Sequence, residues 1–214
     1  MTDTSSMDHH PEPATRPARW PSWLAVAVAV PTVIAVQTWL LPALLPEAAP
    51  VPEDPCGLVP RDTWNLLVPE PRIVRSEARN TEGDHAGSCE VETRTAASEA
   101  KAHVTIWITR HDRGNRTSRT EAQNDFAASK KLALDRAEGR CFDIRDLGDS
   151  AFVEITQMVP RVGESGGDWV TVRLEVLSGS DTLKVTYGAA PTDPDLAIGA
   201  AVALARHVVG GLGR

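Results

Sequence analysis

The chain is poor in cysteine, in lysine and in catalytic signatures, and each shortage closes off a class of protein. Only Cys56, Cys89 and Cys141 occur in 214 residues. That is too few for a disulfide-stapled miniprotein, so a hydrophobic core must do most of the stabilising. The formal net charge is −7, and of 22 basic residues only four are lysine. An acidic balance removes the electrostatic support for general nucleic-acid binding. No H-E-x-x-H helix, P-loop or C-x-x-C pair is present, so zinc-dependent hydrolysis, nucleotide binding and dithiol redox have no signature. His9 and His10 lie together in a polar tail that offers no further metal ligands. No cofactor is implied.

Charge is also missing from one long stretch. From Trp23 to Leu45 the chain reads WLAVAVAVPTVIAVQTWLLPALL, without Asp, Glu, Lys or Arg. As a helix this run would span about 34 Å, enough for a hydrocarbon core of about 30 Å. A transmembrane anchor over residues 20–45 is therefore expected, in contact with the lipid bilayer through residues 23–45. Pro31 and Pro42 are tolerable in a bundle or at a kink, and Trp20 and Trp23 suit the inner interface. Arg16 and Arg19 precede the run closely, whereas the next basic residue after it is Arg61. That asymmetry leaves the N-terminus cytoplasmic and exports residue 46 onward. The apolar run exceeds a signal peptide's usual ~7–15 residues, and cutting after Ala49 would put Glu47 at −3 and Pro50 at +1. An uncleaved signal anchor is expected. Glu53, Asp54 and Pro55 stand where a lipobox needs aliphatic and small residues, so Cys56 is not expected to carry a lipid.

The remaining organisation follows from composition and periodicity. Residues 1–19 are polar and aperiodic, a disordered cytoplasmic tail, and residues 46–55, with four prolines, form a stiff spacer. An extracytoplasmic domain is expected over residues 56–210. Its first element, PRDTWNLLVP, holds one or two helical turns with Trp64, Leu67 and Val68 inward. RIVRSEA (72–78) and CEVETR (89–94) are strand candidates. In AHVTIWITR (102–110), Val104, Ile106 and Ile108 share one face. Ser118 and Glu121 form a capping box opening a helix, with Phe126, Leu132 and Leu134 as apolar contacts and Gly139 as its end. AFVEITQM (151–158), WVTVRLEVL (169–177) and TLKVTY (182–187) alternate with period two, the last pair joined by Gly-Ser-Asp at 179–181. Asp193-Pro194 caps a final helix that stops at Gly210-Gly211. Five or six strands with a middle and a terminal helix predict an α+β domain: an antiparallel sheet with helices packed on one face, preceded by one transmembrane helix.

Several of these segments carry a resemblance. Pro55-Cys56-Gly57-Leu58 opening the domain, Cys89 opening a strand, Leu147-Gly148-Asp149-Ser150-Ala151 before a strand, and the closing alanine-rich helix resemble a family of actinobacterial cell-envelope domains of unknown function. Its members are mostly small lipoproteins, similar in plan to the sensor regions of mycobacterial receptor kinases. The likeness covers roughly residues 55–209. The chain departs from the pattern by lacking a lipobox and by carrying Cys141. The resemblance implies a sheet-and-helix ectodomain, a Cys56–Cys89 disulfide and no enzymatic activity. Cysteine count alone leaves three single bridges open, although an exported domain sits in oxidising surroundings. Cys141 is then left over, either buried or available to another chain.

Other candidates for chemistry are sparse. Arg110, Arg113, Arg116 and Arg119 recur at every third position, a possible anion contact for lipid headgroups, wall polymers or phosphate, or else a solvated loop. Asn115-Arg116-Thr117 matches a glycosylation sequon, uninformative in a bacterial setting. His103, His111 and Asp112 could serve as ligands or as an acid–base pair, but His103 and His111 would share a face only if the strand ran unbroken past the neighbourhood of Gly114. Trp107 projects opposite its strand's apolar face, either beneath a helix or into a groove. ESGGD (164–168) reads as a loop tip. The expected function is a non-catalytic binding or interaction module at the cell envelope, with a membrane-protein or cell-wall partner. A carrier or receptor for an apolar or lipid-like ligand would need a cavity beside Trp107. A hydrolase or thiol enzyme would need a buried polar cluster at His103 or an exposed Cys141 with a depressed pKa.

Overall fold

A computed structural model describes residues 50–81, 84–94, 100–111, 116–136, 140–158 and 169–213. The anticipated tail and membrane anchor, Gly139 and the loop at 164–168 lie outside the described residues. Seven strands form one sheet: β1 (Pro71–Thr81), β2 (Asp84–Thr93), β3 (Lys101–Arg110), β4 (Cys141–Ile144), β5 (Ser150–Met158), β6 (Trp169–Ser178) and β7 (Asp181–Ala190). Their order is β1-β2-β3-β7-β6-β5-β4, and every neighbouring pair is antiparallel. Three α-helices, α1 (Arg61–Leu67), α2 (Arg116–Arg136) and α3 (Pro194–Leu212), follow a 3-10 turn at Pro55–Leu58. The expected α+β class holds. The strand missed by periodicity is β4, whose four residues CFDI are too few to establish a period.

The period-two alternation becomes one buried face. Val104, Ile106 and Ile108 of β3, Val170, Val172, Leu174 and Val176 of β6, and Leu183 and Val185 of β7 are all enclosed. Helix α3 covers them with Ala197, Ala200, Ala201, Leu204, Ala205 and Val208, a single stripe at helical spacing. Four alanines in that stripe let the helix axis approach the sheet closely. Asp193 caps its start, accepting a hydrogen bond from the Asp195 N–H at 2.8 Å, with proline next. The Gly210-Gly211 pair does not end it, since the helix runs to Leu212. A Cβ on Gly211 would come within 2.7 Å of Leu58 Cδ2, so this glycine serves close packing rather than termination. Among the described residues α3 is the one helix long and apolar enough to cross a membrane. Its alanine face is nevertheless part of the domain core.

The fold reaches back into the proline-rich stretch. Val51 is buried, and Asn80 holds it at both ends: its carbonyl oxygen accepts from the Val51 N–H, and its amide nitrogen donates to the Val51 carbonyl, each at 2.9 Å. Pro55 and Cys56 follow into the core. Cys56 and Cys89 are disulfide-bonded, as the family resemblance implied, with their Cα atoms 5.0 Å apart. Cys89 sits in the middle of β2 rather than opening a strand, because β2 already begins at Asp84. Trp64 of α1 is buried beside this bridge and donates its indole N–H to the Cys56 carbonyl at 3.3 Å.

One expectation about the layers is corrected. Helices do not all pack on one face, because α2 lies on the side opposite α3. There Ala122, Phe126 and Ala133 meet Phe152 of β5 and Leu177 of β6, residues whose parity points away from the α3 core. Phe126 and Phe152 contact edge to face at 5.3 Å. Ser129 donates to the Glu175 carboxylate at 2.6 Å, and Lys184 Nζ lies 3.6 Å from the same oxygen. Leu132 and Leu134, expected as apolar contacts, are 54% and 51% exposed. Of the four buried residues described in this helix, two are alanine and one is Ser118, so no strong apolar stripe advertised this face. Ser118 also falls inside the first turn of α2 rather than before it, so Ser118 and Glu121 are not its capping box.

Two stability predictions follow from these contacts. The double variant Cys56→Ser/Cys89→Ser should stay folded yet lose about 3–4 kcal/mol in urea unfolding, because the bridge closes a loop over a sequence separation of 33. A loss below about 1 kcal/mol would show that loop closure contributes little here. Glu175 is 1% exposed, and burial holds its carboxyl above the usual range against the opposing pull of Ser129, Lys184 and Arg173. A raised folded pKa means this group's favourable contribution is complete below the ordinary value of 4.5 and lost as pH rises through the folded value. Glu175→Gln should therefore raise the melting temperature near neutral pH, with the advantage fading in acid. A Gln variant equally destabilised at both pH values would contradict this sign.

Candidate functional site

Burying one face of an antiparallel sheet leaves the other to be covered or solvated. Helix α2 covers the β5–β6 part of that second face, and the rest is open and polar. Cross-strand registry arranges it in rows. One row runs Glu77, Ser88, Trp107, Lys184, Glu175, Phe152 from β1 to β5. The next runs Arg75, Glu90, Thr105, Thr186, Arg173, Glu154, ending at Cys141 on β4. Trp107 is thus neither beneath a helix nor in the core: it stands 48% exposed on this face. Trp169 shares the face. Its indole N–H donates to Thr171 Oγ1 at 3.0 Å, and its ring lies so close to Gly188 that a Cβ there would meet it at 2.9 Å.

Among the hollows formed by the described residues, two open along these rows. The first, about 400 Å³, lies beside Trp107 and is walled by Arg75, Glu77, Arg79 and Ser88, with Ala78 and Ala86 between them. Its lining mixes these charged side chains with the Trp107 ring and small residues, so polar and apolar groups are both presented there. The second, about 360 Å³, lies where α2 ends over the sheet and is lined by Arg136, Arg140, Arg173, Glu154, Thr156, Thr171 and Thr186. Glu154 is only 8% exposed, and one of its oxygens faces Arg136 at 3.5 Å and Arg173 at 3.4 Å. Three guanidiniums against one carboxylate leave two positive charges in excess, inside a chain whose net charge is −7.

The arginines singled out from sequence do not form one anion patch. Arg110 is buried and grips Asp181 through Nε and Nη2, both at 2.8 Å, while Nη2 also donates to the Leu212 carbonyl at 3.3 Å. The bond to Asp181 raises its pKa, so this charge is committed inside the fold rather than offered to an anion. Arg119 is exposed and lies 3.3 Å from Asp149. Arg113 and the side chain of Arg116 lie outside the described residues, as do Asp112 and Asn115. His103 lies 3.1 Å from Glu90, at the opposite end of β3 from His111, about 26 Å along the strand. β3 stops at Arg110, so the two histidines do not meet. Among the described residues no three His, Cys, Asp or Glu side chains gather as a metal site would need.

Sequence reading passed over Arg136, Arg140 and Arg173 because they belong to no motif. Only the return of β6 beside β5, under the end of α2, brings them together. Cys141 shares their neighbourhood as the cross-strand partner of Glu154. It is a partly buried free thiol whose pKa is raised by burial and then by the Glu154 charge, the reverse of an activated nucleophile. No protein-family model matches the chain, and comparison with curated proteins finds no relative.

The thiol gives a direct check. Alkylation of Cys141 by iodoacetamide near pH 8 should be slower than that of an unstructured cysteine peptide, and its rate should level off at a higher pH than the peptide's. Faster reaction than the peptide would reopen thiol catalysis.

Proposed function

We propose that this chain is a single-pass membrane protein whose exported domain binds a partner without catalysing a reaction. The uncharged run at 23–45, with Arg16 and Arg19 on its N-terminal side, supports an anchor with the domain outside the cytoplasm. The Cys56–Cys89 bridge fits that compartment. The observation that carries the binding role is the half-exposed Trp107, standing on an open sheet face beside Arg75, Glu77 and Arg79. Aromatic and arginine side chains on a flat, otherwise polar surface are the residues that anchor protein interfaces. The partner is accordingly a polar protein surface within reach of the membrane, with wall polymer as the competing occupant.

Two measurements test this in cells. Protease added outside stripped cells should digest the domain while an N-terminal tag survives. Digestion of the tag instead would invert the topology. A photo-crosslinking amino acid at position 107 should give a discrete protein adduct that the same group at Arg206, on the opposite side of the domain, does not. Equal labelling at both positions would remove the open face as the binding surface.

A further inference from the structure

We propose that the arginine cleft at the end of α2 is a second binding site, for a small ligand bearing a phosphate group. This inference stands apart from the membrane topology and from the Trp107 surface. It rests on side chains that the fold gathers from three elements: Arg136 from the last turn of α2, Arg140 just beyond it, and Arg173 from β6.

The arrangement has the properties of a site waiting for an anion. Arg136 and Arg173 share one oxygen of Glu154 at 3.5 and 3.4 Å, longer than the roughly 2.7–2.9 Å of a settled charge-assisted bond. Both side chains remain about half exposed. Arg140 has no ion-pair partner among the described residues. The excess of two positive charges matches a phosphate monoester, which carries about −1.5 to −2 near neutral pH. Planar guanidiniums meet phosphate oxygens in parallel pairs of hydrogen bonds, which an ammonium cannot do.

The walls say what else the ligand carries. Thr156, Thr171 and Thr186 contribute hydroxyls, Ile155 is the one large aliphatic residue of the lining, and no aromatic ring belongs to it. Thr171 Oγ1 already accepts from the Trp169 indole, which leaves its hydroxyl proton to donate. A volume near 360 Å³ is at the small end for ligand clefts. The class that fits is a phosphate on a short hydroxyl-bearing body, free in solution or presented as a lipid headgroup.

The test uses the full chain in nanodiscs of neutral phosphatidylcholine, titrated with glycerol phosphate and followed by calorimetry. Saturable binding is expected. Arg140→Gln should weaken it about tenfold or more, because one charged contact is lost and no internal bond is broken. Arg206→Gln, which removes the same charge from α3 on the other side of the sheet, should change it less than about twofold. Glu154→Gln should tighten binding several-fold by removing the competing carboxylate, an effect that a purely structural ion pair would not produce. Nanodiscs containing phosphatidic acid, whose headgroup is a phosphate monoester, separate the two sources: weaker apparent binding there assigns the site to a headgroup, and unchanged binding assigns it to a soluble phosphate. Absence of saturable binding by the unaltered chain, or equal losses in the Arg140 and Arg206 variants, would overturn the proposal.

Discussion

The pairing of β3 with β7 is the constraint on which the rest depends. It joins two meanders, β1-β2-β3 and β4-β5-β6-β7, that local turns could build separately but not assemble. Ten residue pairs are in register along it, from Lys101 opposite Ala190 to Arg110 opposite Asp181. The apolar ladder on its inner side is Val104, Ile106 and Ile108 against Leu183, Val185 and Tyr187. At one end the Arg110–Asp181 pair closes the seam between residues 71 apart, with two parallel hydrogen bonds away from water. A slip of one residue would turn the ladder to the solvent and break that pair at once, so register and burial enforce each other.

Much of this was legible in the chain. The alternation in β3, β6 and β7 is strong because one face is fully enclosed and the other stays polar. The Asp193-Pro194 start of α3 was readable because its physical cause is local, a side chain satisfying a nearby N–H. The less legible parts depend on partners distant in sequence. The side on which α2 packs is decided by Phe152 and Glu175, and nothing within α2 itself announces them. The parity of Trp107 with Thr105 and Thr109 was readable, but whether a helix would cover it depended on where α2 packs. Gly211 resembled a stop signal until Leu58 was seen to occupy the space its side chain would have taken. The arginine cleft had no sequence signal at all.

The two sides of the sheet divide the labour between rigidity and chemistry. On the α3 side, small and branched apolar residues close the space, and polar groups there are paired, as with the Tyr187 hydroxyl on the Leu67 carbonyl at 3.0 Å. On the α2 side charges alternate along the rows, and the helix covers only part of the width. Where it ends, carboxylate and guanidinium groups meet at the boundary between protein and water. Such boundaries allow charges to keep part of their hydration while being fixed in position, which is why the cleft forms there rather than beneath α3.

The disulfide also has a mechanical meaning. The chain enters the domain alongside β1, an edge strand paired on one side only, through Val51 and its two bonds to Asn80. Tension arriving from upstream would otherwise peel that strand away one hydrogen bond at a time. Because Cys56 is covalently joined to Cys89, a load passing residue 56 is delivered directly to β2, which is held by neighbours on both sides. Any pull on the chain upstream of residue 56 would thereby be shared between β1 and β2, and the edge would be spared from unzipping.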